Sequence, residues 1–508
     1  MLSRGVAAPS GRGGERRHGA AVPATVAAAT AVLTYISAAV VGLVHVGDWY
    51  NVDHVSGVWM GLAQYVRDGV LYPPLFEDGI YGGTRYMPLK TLIDAAMSGV
   101  TGEYLVSGKL VGLLSFGALG VVMFVALRRA ACPRAIAVAL SAVPLATGNG
   151  IYAATSNFGD TLSVTLQVAA LACIAQTGTR WRAGAAGVLC SLALFAKLNA
   201  IWAPVVAIAW LAWRRKPDAV LVFVVTFLGW SAITGGVIEL ASDDRFRQNF
   251  QGINDTGSMG LHGLLHTTPH KLESTVLETA PTLLLLLPLV LGAYLLALLA
   301  RRCSVYHLAL PVAGVVLVLV LNDIGAAENH LLDVEVLAGM VIGATWPWLQ
   351  ARLRPTAEVV AASVLGVALL LGYAWHVAEP TGDAIRELTG ETRDSHPANP
   401  LGRHVTRADS LLSQDASIPV SLGATPVVLD AYMLLRIDRD HPEWGDALIE
   451  KLDRGAFDKV VMMGVPDPRA QWWEGHHLGP RIAAAIFRNY RRSVTLNGYS
   501  LYVPRARP

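Results

Sequence analysis

Apolar runs recur along the chain with little polar interruption. Stretches near 21–44, 107–127, 135–150, 161–177, 184–196, 199–213, 218–239, 281–300, 305–321, 331–350 and 357–376 approach the roughly 20 residues that a helix needs to cross a hydrocarbon core. Together they predict about 11 transmembrane helices, several of them short. The polar connections alternate in charge. Arg128, Arg129 and Arg134, then Arg180 and Arg182, then Arg214, Arg215 and Lys216, then Arg301 and Arg302, then Arg352 and Arg354 fall in every second connection, which the positive-inside rule assigns to the cytoplasm. The intervening stretches 149–160 and 322–330 hold no Lys or Arg. Because both flanks of 184–213 are basic, the chain must turn near Lys197, which puts Lys197 at an outer tip between two short helices. The N-terminus is then cytoplasmic and the C-terminus extracytoplasmic.

Three longer polar pieces fall on the outer side: a loop at 45–106, a loop at 240–280, and a tail from 380 to 508. In the tail, β-favouring runs at 418–422, 427–429, 460–463 and 501–503 alternate with helical stretches near 444–454 and 480–491, the pattern of a small α/β domain. The predicted fold is an all-α polytopic membrane protein with a small extracytoplasmic C-terminal α/β domain. Its parts are a disordered cytoplasmic segment at 1–20, a transmembrane domain at 21–379 and the outer domain at 380–508. The first apolar stretch is longer than the core of a cleavable signal peptide and reads as a retained anchor.

Composition agrees with a chain solvated largely by lipid: 53% of its 508 residues are hydrophobic and only 15% charged, and the mean hydropathy is +0.44, far above the usual globular balance. A net charge of +2 gives no electrostatic footprint for nucleic acid. Cys132, Cys173, Cys190 and Cys303 match no zinc or redox spacing. Seven of the 40 basic residues are Lys, and this arginine bias points to a GC-rich bacterial genome.

After Asp53, the residues Val55, Val58, Trp59, Leu62, Ala63 and Val66 recur at helical spacing opposite Ser56, Gln64 and Arg67, predicting an amphipathic helix in the membrane interface. Asp53 stands where an N-cap belongs, a role compatible with catalysis. Lys197 could snorkel or cap a hairpin. Asp333 and Glu335 lie a few residues into a span and need a polar cavity or partner. Asp243-Asp244 reads as a solvated turn. The run from Gly102 to Gly108-Lys109-Leu110 has the wrong spacing for a phosphate-binding loop and no Ser or Thr after the Lys. Trp472, Trp473, His476 and His477 read as packing residues of the tail.

The stretch from Asp53 through Gln64-Tyr65-Val66-Arg67-Asp68-Gly69-Val70-Leu71-Tyr72 to Tyr86-Met87-Pro88-Leu89 resembles the first outer loop of the GT-C glycosyltransferases, which include the protein O-mannosyltransferases and bacterial aminoarabinose transferases. Phe158-Gly159-Asp160 resembles that superfamily's second acidic position, Phe195-Ala196-Lys197 its hairpin tip, and Ala327-Glu328-Asn329-His330 a polar outer turn before a late span. The resemblance covers most of 20–350. It implies Asp53 as the catalytic carboxylate, with Asp48 and Asp160 as further acidic candidates, and an outer cavity holding Tyr86, Glu328, Asn329 and His330. Relatives carry Lys-Pro-Pro-Leu where this chain has Tyr86-Met87-Pro88-Leu89, which moves the donor-phosphate contact to Arg85, Lys90 or Lys197. There is no Asp-x-Asp motif, and a divalent metal is left open.

An outer-face transferase has no cytosolic nucleotide sugar to use, so its donor must arrive as a polyprenyl-phosphate sugar. The expected activity is an inverting transfer to an envelope glycan, lipid or protein at the bacterial plasma membrane. The competing readings are a lipid or polysaccharide transporter, which would place ionisable or broken segments near the bilayer midplane, and a non-catalytic envelope scaffold.

Overall fold

A computed structural model describes residues 13–77, 79–176, 179–253, 259–323, 326, 328–352, 354–391, 396–397, 399–438, 441–464 and 478–506. From the N-terminus come α1 (Gly13–Val44), then α2 (His54–Arg67) and α3 (Pro88–Thr101) of the first polar loop, and α4 (Tyr104–Arg129). Next follow α5 (Arg134–Ser141), α6 (Gly148–Thr155), α7 (Asp160–Ile174), α8 (Arg180–Ala196), α9 (Trp202–Trp213) and α10 (Pro217–Ala241). The second polar loop is helical too, as α11 (Arg245–Ile253), α12 (Gly260–His262) and α13 (Thr268–Thr279). Then α14 (Pro281–Leu299), α15 (Val305–Leu321), α16 (Leu332–Arg352), α17 (Pro355–Gly372) and α18 (Ala378–Leu388) complete the helical part. Proline opens α3, α10, α14 and α17, at the helical position where a missing amide costs no hydrogen bond.

Among the described residues, six helical segments are long and apolar enough to cross a membrane: 21–44, 104–129, 217–241, 281–299, 329–352 and 355–388. A seventh arises if α6 and α7, bent by 105° at their break, act as one. Helices α9 and α15 are apolar but have only 12 and 17 residues. The span expected at 135–150 breaks instead into α5, a 3-10 turn at Val143–Ala146 and the start of α6, because Pro144 cannot donate to the helical ladder. Helix α1 begins at Gly13, inside the segment expected to be disordered. Small and aliphatic side chains such as Ala27, Leu119, Leu140, Leu171 and Leu365 are buried between the helices. Leu221, Val225, Ile233 and Val237 of α10 and Leu287, Leu291, Leu295 and Leu298 of α14 are exposed, an apolar outer face suited to lipid.

The C-terminal region carries a four-stranded sheet of β1 (Leu411–Ser413), β2 (Lys459–Met463), β3 (Tyr490–Leu496) and β4 (Tyr499–Pro504), in the order β1-β2-β4-β3. β1 and β2 are parallel, Leu412 beside Val460; the other pairs are antiparallel, with Val461 opposite Leu501 and Arg492 opposite Tyr502. The runs expected at 460–463 and 501–503 fall in β2 and β4. That at 418–422 is instead a short helix, α19 (Ser417–Ser421), since Pro419 breaks a strand ladder and the Asp415 carboxylate takes the Ser417 amide and hydroxyl at 2.9 and 2.5 Å. The run at 427–429 forms only a bridge to the first loop, where the Tyr81 amide donates to Val427 O at 2.8 Å and the Leu429 amide to Tyr81 O at 2.9 Å. Helices α20 (Ala431–Asp438), α21 (Pro442–Arg454) and Pro480–Asn489 pack on the sheet. Trp472, Trp473, His476 and His477 lie outside the described residues.

Helix α2 departs most from expectation. Rather than lying in an interface with one wet face, it is buried from Ser56 to Gln64, polar positions included. Its cover is the C-terminal region. A Cβ at Gly57 would stand 2.4 Å from Ser417 N and 2.5 Å from Asp415 Oδ1, and one at Gly61 would stand 2.6 Å from Leu429 Cδ1. Glycine therefore lets the turn before α19 close directly on the helix backbone. Gly57→Ala should lower the thermal midpoint of detergent-solubilised protein more than Gly61→Ala, at an overpacking cost of about 1–3 kcal/mol, because backbone and a fixed carboxylate must move at Gly57 but only a leucine methyl at Gly61.

Candidate active site

Asp53 is the N-cap of α2. Its Oδ1 accepts the Ser56 amide at 2.9 Å and the Ser56 hydroxyl at 3.2 Å, and the Asp53 amide donates back to Ser56 Oγ at 3.5 Å, completing a capping box. The second oxygen, Oδ2, accepts the Tyr152 hydroxyl at 3.0 Å. Tyr152 sits on α6, with its ring 5.3 Å from Phe158, in the break where the chain bends into α7.

That break delivers the second acid. A Cβ at Gly108 would come 2.2 Å from the Asn157 side chain, so the glycine on α4 makes the room in which the break packs. Asp160 then opens α7, buried. Its Oδ1 is contacted by Lys197 Nζ and its Oδ2 accepts Asn329 Nδ2 at 3.0 Å. Lys197, the residue that ends α8, also lies 3.2 Å from His330 Nδ1, and Asn199 Nδ2 lies 3.0 Å from the same nitrogen. Trp202 Nε1 donates to Asp333 Oδ1 at 2.8 Å and Thr147 Oγ1 to Glu335 Oε2 at 3.2 Å. The start of α7, the end of α8 and the 3-10 turn Glu328–Leu331 thus bring Asp160, Lys197, Asn329 and His330 into one hydrogen-bonded cluster. Glu328 belongs to the 3-10 turn Glu328–Leu331, and its side chain lies outside the described residues.

Tyr86 and Arg85 join this cluster to Asp53. The Tyr86 ring packs 4.7 Å from Trp59 of α2. Burial raises the Tyr86 phenol well above its ordinary pKa, Arg85 works against that, and Asp430 and Asp53 add to it. Arg85 stacks on Tyr432, 4.6 Å from the ring centre, and its charge is felt by Lys197. Burial likewise raises the Asp430 carboxyl while Arg85 pulls it down. The first loop, two helix breaks and the C-terminal region therefore meet around one polar patch.

Two sequence candidates fall elsewhere. Lys90 is sealed inside the protein, paired with Asp94 and Asn157, and is not exposed to a phosphate. Asp48 belongs to a separate cluster with His45, Lys109 and Tyr50. Burial would raise its carboxyl, but the His45 and Tyr50 hydrogen bonds and the Lys109 charge hold it below the usual range, a poor setting for a base. Lys109, the lysine of the false phosphate-loop match, directs its ammonium at the carbonyls of His45, Asp48 and Tyr50, at 2.7, 2.9 and 2.7 Å. Asp243 and Asp244 form a left-handed turn after α10, with φ of 51° and 64°.

Sequence reasoning missed Tyr152, Asn199, Lys271, Asp430 and Tyr432. Lys271, whose Nζ donates to Asp323 O and Ala326 O at 3.0 Å each, acts electrostatically on His330; being the lone Lys of the 240–280 loop was its only signal.

No family model matches the sequence, and no curated protein matches it. Solved structures do. The aminoarabinose transferase ArnT of Cupriavidus metallidurans, bound to undecaprenyl phosphate, superposes with a TM-score of 0.55 at 14% identity, over 94% of this chain and 98% of that one. An oligosaccharyltransferase of Archaeoglobus fulgidus in complex with Zn and sulfate gives a TM-score of 0.53 at 12% identity, over 94% of this chain and 73% of its own. The archaeal AglB with an inhibitory peptide and a dolichol-phosphate gives 0.51 at 11% identity, over 94% and 74%. These are GT-C glycosyltransferases, and the chain shares their fold.

Proposed function

We propose that this GT-C-fold chain is an inverting membrane glycosyltransferase that moves a sugar from a polyprenyl-phosphate donor to an envelope glycan, lipid or protein. The observation that carries the reading is the hydrogen-bonded cluster of Asp160, Lys197, Asn329 and His330, with Asp53 held by Tyr152 beside the break that delivers Asp160, so that four separated segments supply the five residues. Such a reaction needs a carboxylate to take the acceptor's proton and cations to hold the phosphate as negative charge develops on it. Asp53 serves as the base, and Lys197 with Arg85 holds the phosphate. The acceptor oxygen attacks the anomeric carbon as the bond to the phosphate oxygen breaks, the acceptor proton goes to Asp53, and polyprenyl phosphate leaves. One displacement inverts the anomeric centre. The undecaprenyl phosphate bound by ArnT and the dolichol-phosphate bound by AglB, each the carrier that such a transfer would release, support the donor class.

In this reading the chain crosses the bacterial plasma membrane about 11 times, the six long apolar helices among the described residues being joined by shorter apolar ones such as α9 and α15. The polar patch and residues 380–508 face outward. The test is purified protein in lipid vesicles, given polyprenyl-phosphate sugars and an envelope extract: release of polyprenyl phosphate should require both protein and acceptor, and its absence with folded wild-type protein contradicts the reading. Orientation has its own test, because the Arg214–Lys216 connection is expected to be cytoplasmic. In a cysteine-free background, an impermeant thiol reagent applied to intact cells should label Ser410→Cys and spare Asp218→Cys. The reverse pattern inverts the topology.

A further inference from the structure

The cluster around Asp48 takes no part in the proposed transfer, yet it joins the two ends of the chain. His45, almost fully buried at the end of α1, stacks on Tyr50 with ring centres 4.4 Å apart and meets His396 edge-on at 5.4 Å. The His45 ring nitrogen Nδ1 is 2.6 Å from Asp48 Oδ2. Beside His396, Pro397 accepts the Trp49 amide at 3.2 Å, so the backbone holds the two segments in register. One ligand atom each from His45, Asp48 and His396 lies within 4.8 Å of the other two. Ligands bonded to a tetrahedral ion at about 2.0–2.2 Å stand about 3.3–3.6 Å apart, so to seat all three the widest separation must close by about an ångström, while the His45 Nδ1–Asp48 Oδ2 hydrogen bond, if both atoms are ligands, must open by nearly as much.

We propose that His45, Asp48 and His396 bind a zinc-class divalent transition metal that staples the end of α1 to the segment entering the C-terminal region. Two imidazoles and one carboxylate are borderline donors that suit zinc, with the fourth position left to water. Magnesium and calcium need six or more oxygen ligands and would be held here mainly by charge. The Lys109 ammonium, 3.8 Å from Asp48 Oδ1, opposes that. Its three protons point at backbone carbonyls, so it fixes the 45–50 turn while Asp48 keeps lone pairs for an ion. Asp383, near enough to act on both His396 and Tyr50, supplies a second negative charge. The site differs from the Asp53–Asp160 patch and stands independently of the proposed transfer.

The test uses the full chain, tag removed, in lipid nanodiscs, dialysed against zinc chloride or magnesium chloride and then against metal-free buffer. Elemental analysis should find about one equivalent of zinc retained per chain, as a site with three protein ligands holds it, and no magnesium. Cobalt should give the visible absorption of a tetrahedral ion. Zinc should raise the thermal midpoint of wild-type protein but not of His396→Ala, in which the retained equivalent is lost. His45→Gln serves as the second variant should His396→Ala fail to fold. Wild-type protein that retains no zinc, or variants that retain as much as wild type, overturns the assignment.

Discussion

Asp53→Asn should leave the protein folded and slow sugar transfer by a factor of about 10²–10⁴, the usual cost of losing a general base. The variant separates two roles that the structure places on one side chain. As the N-cap of α2, Asp53 accepts the Ser56 amide, and asparagine caps a helix about as well as aspartate. The amide can also satisfy Tyr152, whose hydroxyl, now 3.0 Å from Oδ2, can accept as well as donate. What asparagine lacks is the ability to take a proton. Asp53→Ala should add a stability loss of about 1 kcal/mol from the missing cap. The assay is transfer by purified protein in lipid, with thermal melting of the same sample. A stable Asn variant that transfers at the wild-type rate removes Asp53 as the base and leaves Asp160 to be tested.

The two lysines offered by the sequence for phosphate should part company when replaced. Lys90→Met strands the Asp94 carboxylate in a fully buried position, and breaking a buried pair from one side costs about 3–5 kcal/mol; the expected result is a large fall in thermal midpoint or loss of expressed protein. Lys197 is partly open, with 24% of its side chain exposed, in a polar cluster that can rearrange. Lys197→Ala should keep the fold and raise the donor KM about 10- to 100-fold, the worth of one hydrogen bond to a charged group. Equal thermal losses for both variants, with donor KM unchanged in Lys197→Ala, would show that Lys197 is structural as well.

The legible features were those carried by local pattern. Hydropathy revealed the long helices, and the Lys- and Arg-free stretches at 149–160 and 322–330 marked where polar groups could gather. Asp53, Asp160, Lys197 and His330 each sat beside a recognisable local signal, so they could be found before their contacts were known. Lys90 shows the limit of that method: its sequence neighbourhood resembles a phosphate segment, while its partner Asn157 comes from another helix break. The burial of α2 was equally hidden, because it depends on Gly57 and Gly61 receiving a turn from the far end of the chain. Tyr152, Asp430 and Tyr432 reach the patch only through long-range packing, which no periodicity records. The break at 142–147 could have been read from Pro144 had its position within the apolar run been weighed.

The most direct test of the central claim is mass spectrometry of envelope glycans and lipids from cells that lack this protein. One sugar residue should disappear from the envelope while a polyprenyl-phosphate sugar accumulates, with restoration by the wild-type chain but not by Asp53→Asn expressed at the same level. An envelope and lipid inventory unchanged by the deletion, or restored equally by Asp53→Asn, would contradict it.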